Sequence, residues 1–181
     1  MKFLKFKINS KILISTCIVF LIILKVLILI VYSPKNNKFE PLYTDYGGII
    51  SENWTQYIQK NTKTCGMACL SFLLSKTGYN ITESEISSLL NKTNEYISFS
   101  DMERIAQYKR LNCQSLEVDK KYFKEHPALS IVHFGEEHFI VFVSEYNNEE
   151  IVIFDPSYGK VYLSWNKFLK KFDGKMFYVY K

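Results

Sequence analysis

At 181 residues, 48% of them apolar and 16% aromatic, the chain is long enough for one ordinary domain plus an appendage and too apolar to be disordered. Five of its 23 basic residues and none of its 18 acidic ones fall in positions 1–32, so the formal charge of +5 belongs to the N-terminus and the remainder balances 18 against 18. A domain without net charge lacks the electrostatic footprint of a nucleic-acid binder, and no nucleic-acid partner is expected.

The chain opens with a basic segment, residues 1–11, containing Lys2, Lys5, Lys7 and Lys11. Residues 12–32, ILISTCIVFLIILKVLILIVY, then carry a single charge, Lys25. Such a run spans roughly 30 Å at about 1.5 Å per residue, the thickness of a hydrocarbon core, which predicts one transmembrane helix. Lys25 lies toward the far end, where its side chain can snorkel to the interface. The lysines ahead of the span outnumber Lys35 and Lys38 behind it, so the positive-inside rule keeps the N-terminus in the cytoplasm. The chain is therefore expected to be a single-pass membrane protein with its folded part extracytoplasmic. The competing reading is a secretory signal with Ile12–Leu24 as its apolar core. VYSP is a poor cleavage site, and ISTC, ending at Cys17, places Thr16 where a lipoprotein signal has a smaller residue. An uncleaved segment is the expectation.

Residues 33–49 read as a polar linker with two prolines and a Gly-Gly pair, leaving 50–181 as the domain. A first helix is expected from about Cys65 to Gly78, whose glycine suits a C-terminal cap. A second opens with the capping box Thr82/Glu85 and runs to about Leu90; a third opens with Ser100/Glu103 and runs to about Arg110. Beyond them ALSIVHF, HFIVFVSEY, EIVIFD, KVYLS and MFYVY are short runs rich in Val, Ile, Phe and Tyr, separated by turn signals, and read as strands. SWNKFLKKF is a short amphipathic helix before the last of them. Helices followed by an antiparallel sheet predict an α+β domain of two layers.

With Cys17 in the apolar span, Cys65, Cys69 and Cys113 remain, an odd number that flags a reactive thiol. The cysteines and the three histidines match no zinc spacing, and no metal or cofactor is expected. Cys65 stands at the start of the first helix in TKTCGMACLSFLL. A thiol is a nucleophile as its anion, and a helix N-terminus favours the anion through its dipole and free N–H groups. Gly66 beside it is expected to let a substrate backbone approach, while the alternative is a packed core cysteine. A nucleophile needs a base and an orienting group. His138 heads the run HFIVFV, and Asp155 ends IVIFD just before Pro156. A hairpin of residues 139–144 with 150–154 brings the two to the same end of the sheet. His133 is the competing base, and His126, before Pro127, reads as a solvated loop residue.

The stretches QKNTKTCGMACL, HFIVFV and IVIFDPSYGKVYLS resemble the double-glycine leader peptidases, the bacteriocin-processing branch of the papain-like cysteine peptidases. Gln59, Cys65, Gly66, Ala68, Cys69, Leu70, His138, Phe139, Asp155, Pro156 and Gly159 fall on the family's positions. The resemblance covers roughly residues 50–180. It implies a papain-like fold with Cys65 as nucleophile, His138 as general base, Asp155 as its orienter and Gln59 as side-chain donor to the oxyanion hole. It assigns Cys69 to helix packing, and implies a peptide or protein substrate cut after Gly-Gly. Thr64 stands where an acidic residue is common and Phe172 where a tryptophan is usual. Typical family members are cytoplasmic domains fused to an ABC exporter. These residues contain no GxxxxGK[ST] motif and hence no ATP site, so an exporter is expected, if at all, as a separate partner. Two alternatives use the same residues or fold: acyl or peptidyl transfer to an amine, and a catalytically silent peptide-binding module.

Overall fold

The computed structural model describes residues 41–180 and, before them, Lys25 alone. The chain divides into two units, Met1–Glu40 and Pro41–Lys181. Apart from Lys25, the expected basic segment (1–11), membrane span (12–32) and first part of the linker (33–40) lie outside the described residues. Among the described residues no helix is long and apolar enough to cross a membrane.

Seven strands form one sheet: β1 (Ile49–Ser51), β2 (Asn112–Glu117), β3 (Ser130–Phe134), β4 (Phe139–Glu145), β5 (Glu150–Asp155), β6 (Gly159–Ser164) and β7 (Phe172–Tyr180). Their order is β1-β6-β5-β4-β3-β7-β2, and every pairing is antiparallel. The central strands are apolar on both faces, as strands covered from both sides must be. On one face Ile131, Val141, Phe154 and Phe177 pack with α1 (Cys65–Lys76), α2 (Glu83–Leu90) and α3 (Phe99–Tyr108). On the other, Val132, Ile140, Phe142 and Ile153 pack with Phe123 of α4 (Lys120–Glu125) and with Trp165 and Phe168 of α5 (Trp165–Lys171). The helices thus cover both faces of the sheet, one layer more than the sequence suggests. α4 is a single amphipathic turn whose only buried residue is Phe123, which leaves no periodicity to read.

The first helix is central: every residue from Cys65 to Leu74 is buried. A helix apolar all round belongs inside a domain, and α1 lies there between sheet and helices. Gly78, at φ +90°, ends it as expected, with the Tyr79 N–H on the Leu74 carbonyl at 2.9 Å. Thr82 and Glu85 form the expected capping box on α2. On α3 the box is Ser98/Asp101 rather than Ser100/Glu103. Both pairs fit the spacing, but Asp101 is also held by Lys92 Nζ at 2.7 Å, and starting at Phe99 turns Met102, Ile105 and Ala106 inward.

The linker expectation ends early. From Pro41 the chain belongs to the folded unit: Tyr43 bridges Ile49, the Ile50 N–H donates to the Leu42 carbonyl, and β1 pairs with β6. The Gly-Gly pair is the corner of this hairpin. Gly47 sits at φ +79°, and a Cβ on Gly48 would lie 2.5 Å from Val161 Cγ1.

Candidate active site

Three separate devices bring Cys65, His138 and Asp155 together. Cys65 is the first residue of α1. The Thr64 hydroxyl, which elsewhere would cap a helix, is engaged with Asn61: it accepts from its N–H at 3.2 Å and donates to its carbonyl at 3.0 Å. No side-chain oxygen caps the first turn, so its N–H groups are left for another acceptor.

His138 immediately precedes β4, and its carbonyl accepts the Phe134 N–H at 2.8 Å, which closes the β3–β4 turn. Asp155 ends β5. Val141 lies opposite Phe154, so Asp155 falls opposite Ile140, and His138, two residues further, shares that face. The expected hairpin is present. Beyond Asp155 the DPSYG turn is fixed by the Ser157 N–H, which donates to Asp155 Oδ1 at 2.8 Å. Gly159 is required there: its φ is +84°, and a Cβ would lie 2.7 Å from the Asn53 carbonyl.

His138 Nε2 is 3.2 Å from both carboxylate oxygens of Asp155. Cys65 lies close enough to the imidazole to favour its protonated form. The Asp155 carboxylate is fully buried whereas the His138 side chain is 28% exposed, so the imidazole reaches solvent and the carboxylate does not. Burial opposes the histidine's charge, but the hydrogen bond to Asp155, the nearness of Cys65 and the charges of both outweigh it. The His138 pKa is pushed up to about 9. Asp155 also accepts from the Tyr46 hydroxyl at 2.6 Å.

Gln59 lies in the loop between a 3-10 turn (Thr55–Tyr57) and α1, and its backbone N–H donates to the Pro156 carbonyl at 2.8 Å. That bond ties the loop before Cys65 to the residue after Asp155. The Gln59 Oε1 is buried without a hydrogen-bond partner.

The remaining candidates fall elsewhere. His133 is paired with Asp173, Nδ1 to Oδ2 at 2.7 Å, and is not part of the cluster. His126 caps the C-terminus of α4 and stacks on Tyr122 with centroids 4.6 Å apart. Cys69 is fully buried in helix packing, and its Sγ donates to the Phe139 carbonyl at 3.2 Å. Gly66 differs from expectation. It is buried, and a Cβ there would lie 2.7 Å from Ile97 Cγ1, 3.2 Å from Met102 Cε and 3.3 Å from Phe139 Cδ2. Its missing side chain serves packing of α1 against the strand that carries His138, not a path for substrate. Tyr46 was not legible as part of the site; its only sequence signal is an aromatic residue beside a Gly-Gly corner in a stretch that reads as linker.

An α+β fold in which a buried helix begins at a cysteine and packs on an antiparallel sheet is the architecture of the papain-like cysteine peptidases. The chain belongs to the Peptidase C39 family, whose model matches residues 53–181 and whose members are cysteine peptidases. It is 28% identical over 124 residues to the lacticin-481/lactococcin-DR transport/processing ATP-binding protein of Lactococcus lactis subsp. lactis, a match covering 65% of this chain and 18% of that protein. It is 29% identical over 118 residues to the probable microcin-H47 secretion/processing ATP-binding protein MchF of Escherichia coli, covering 64% of this chain and 16% of that one. The chain thus spans less than a fifth of the length of these relatives. Its fold is similar to the peptidase domain of Streptococcus ComA, a bi-functional ABC transporter involved in quorum sensing, at TM-score 0.60 and 21% identity over 67% of this chain and 94% of that one. It is also similar to a double glycine motif protease from an AMS/PCAT transporter, solved with its leader peptide, at TM-score 0.62 and 18% identity over 67% and 87% of the two chains.

Proposed function

We propose that this chain hydrolyses peptide bonds with Cys65 as nucleophile, His138 as general acid and base, Asp155 as the group that orients His138, and Gln59 as an oxyanion donor. The observation that carries the reading is the pairing of the His138 ring with the buried Asp155 carboxylate, beside Cys65 at the start of α1, which lies near enough to favour the imidazolium. The Cys65 thiolate attacks the scissile carbonyl carbon, and the carbonyl electrons move to oxygen. The backbone N–H of Cys65 and the Gln59 carboxamide stabilise that oxyanion. The intermediate collapses as His138 gives its proton to the leaving amine, which leaves a thioester on Cys65. Water, deprotonated by His138, then hydrolyses the thioester and restores the thiolate.

The substrate proposed is a leader-type peptide cut after Gly-Gly, the class named for the double glycine motif protease of similar fold. The N-terminal run of residues 12–32 is proposed to be a single-pass anchor, with residues 33–40 as linker and the peptidase domain outside the cytoplasm, served by a separate exporter. A membrane-impermeant maleimide applied to intact cells should then label Cys65, with a Cys65→Ser control.

The peptidase reading is tested with the full chain in detergent, a set of peptides with and without a Gly-Gly pair, and mass-spectrometric detection. Cleavage on the carboxyl side of Gly-Gly that is lost in Cys65→Ala is the expected result. Cleavage that survives Cys65→Ala, or no cleavage of any peptide, overturns it.

A further inference from the structure

The peptidase family match begins at residue 53, yet one donor to the buried carboxylate comes from before it. Residues 42–50 form a hairpin whose two arms are joined by the Tyr43–Ile49 bridge and the Ile50 N–H to Leu42 carbonyl bond at 2.8 Å. Its corner is tied down four ways. The Gly47 N–H donates to the Thr44 carbonyl at 2.9 Å, and the Gly48 N–H to the Thr44 hydroxyl at 2.8 Å. The Thr44 N–H donates to the Gly48 carbonyl at 2.8 Å, and Lys167 Nζ holds the Gly47 carbonyl at 2.8 Å. β1, the second arm, adds an edge strand to β6 and fixes the hairpin on the sheet.

Tyr46 sits at the corner. Its ring meets Phe134 edge-on at 5.2 Å and Tyr158 at 6.5 Å, and its hydroxyl donates to Asp155 Oδ2 at 2.6 Å. Burial and then the Asp155 charge drive the ionisation of this phenol far above its usual range, so Tyr46 remains a hydrogen-bond donor throughout the working pH. Asp155 therefore receives Tyr46 on one oxygen, the Ser157 N–H on the other, and His138 across both. Without Tyr46 a fully buried carboxylate would lose one of its two donors other than the histidine, and with it the restraint on rotation of the carboxylate plane that His138 shares.

We propose that Tyr46 is a positioning residue for the peptidase reaction, acting through Asp155, and that the hairpin of residues 42–50 is part of the active site rather than a tether. The proposal rests on the reading of Asp155 as the orienter of His138. The hydroxyl does two things: it fixes the carboxylate orientation, which favours turnover, and it draws charge from the carboxylate, which tempers the attraction for the imidazolium proton.

The test uses the full chain and the Tyr46→Phe, Asp155→Asn, doubly substituted and His138→Ala variants, with peptide turnover and the pH profile of iodoacetamide alkylation at Cys65 as readouts. Tyr46→Phe keeps the ring that packs on Phe134 and Tyr158, so a role in packing alone predicts no change in either readout. The expected result is a roughly tenfold fall in kcat with little change in KM, the scale of one hydrogen bond to a charged group. The alkaline limb should also move upward from about 9. In the Asp155→Asn background the same substitution should have no further effect, because the two residues act as one unit. A Tyr46→Phe variant that matches the wild type in both readouts, or losses that add in full in the double variant, overturns the proposal. A wild-type profile indifferent to His138→Ala instead overturns the triad reading itself, and is distinguished because it needs no Tyr46 variant.

Discussion

Cys69 Sγ lies 3.2 Å from the carbonyl oxygen of Phe139, one helical turn beyond Cys65 on α1 and one residue beyond His138 on β4. The contact joins the two elements that carry the proposed nucleophile and base. Burial, reinforced by the neighbouring Cys65, pushes the Cys69 thiol well above its usual range, so it stays a donor. Cys69→Ala leaves the Phe139 carbonyl short of a partner and is expected to cost about 1–3 kcal/mol of stability. Cys69→Ser, which donates to the same carbonyl, should retain most of the activity that Cys69→Ala loses. Thermal melts and turnover of the two variants check this; equal activity in both would remove the clamp.

The raised pKa of His138 gives a signed prediction. Its folded value, about 9, exceeds the ordinary 6.5, so the protonated ring that pairs with Asp155 beside Cys65 is the stable form at neutral pH. The stabilisation it brings is complete below about 6.5 and is lost as pH rises through about 9. Activity that depends on this protonated form should show an alkaline limb near the same upper value. The Asp155 hydrogen bond is the largest influence raising it, so Asp155→Asn should move the limb to lower pH. Profiles of kcat/KM decide the matter, and a limb that stays in place in Asp155→Asn would detach the aspartate from the histidine.

Gly66 carries a packing prediction. An alanine Cβ would meet Ile97 Cγ1 at 2.7 Å and crowd Phe139, the residue after His138. Ile97 must shift to admit it, so Gly66→Ala should cost roughly 1–3 kcal/mol, the range for an overpacked core. Activity should fall further than stability, because Phe139, which is crowded as well, directly follows the proposed base, His138. Denaturant unfolding alongside kcat separates the two; an unchanged midpoint would show that the pocket has slack.

The sequence was most informative where a chemical requirement met a strong local signal. Cys65 could be placed because an apolar run begins directly after it. His138 and Asp155 could be paired because two Val/Ile/Phe-rich runs flank an Asn-Asn turn, and period-2 alternation then sets which residues share a face. The Ser98/Asp101 cap escaped because two overlapping boxes satisfy the same spacing, and only the tertiary partner, Lys92, distinguishes them. β2 was missed for a related reason: NCQSLE is mostly polar and has no fully buried residue, and it is a strand through its pairing with β7. Tyr46 was out of reach for a third reason. Its role depends on a contact 109 residues away in sequence, in a stretch whose prolines and glycines read as a tether. Gly66 was legible as a required glycine but for the wrong neighbour, since the atoms that exclude a side chain come from residues 97, 102 and 139.

Gln59 joins a structural cost to a proposed chemical role. Its main chain is pinned to Pro156 at 2.8 Å, so the side chain is held in place, yet its Oε1 is buried with no partner. Leaving a buried acceptor unpaired typically costs about 1–3 kcal/mol, and the proposed oxyanion role belongs to the other atom of the carboxamide, the Nε2 donor. Gln59→Leu removes the unpaired oxygen at similar volume, and its melting temperature should equal or exceed that of the wild type. Turnover should move the other way. Removing one oxyanion donor typically costs on the order of 10²- to 10³-fold in kcat, with KM nearly unchanged because the oxyanion exists only beyond the ground state. A variant that is both as stable and as active as the wild type would withdraw the oxyanion role. One that loses stability and activity together would make Gln59 a structural residue of the loop before α1.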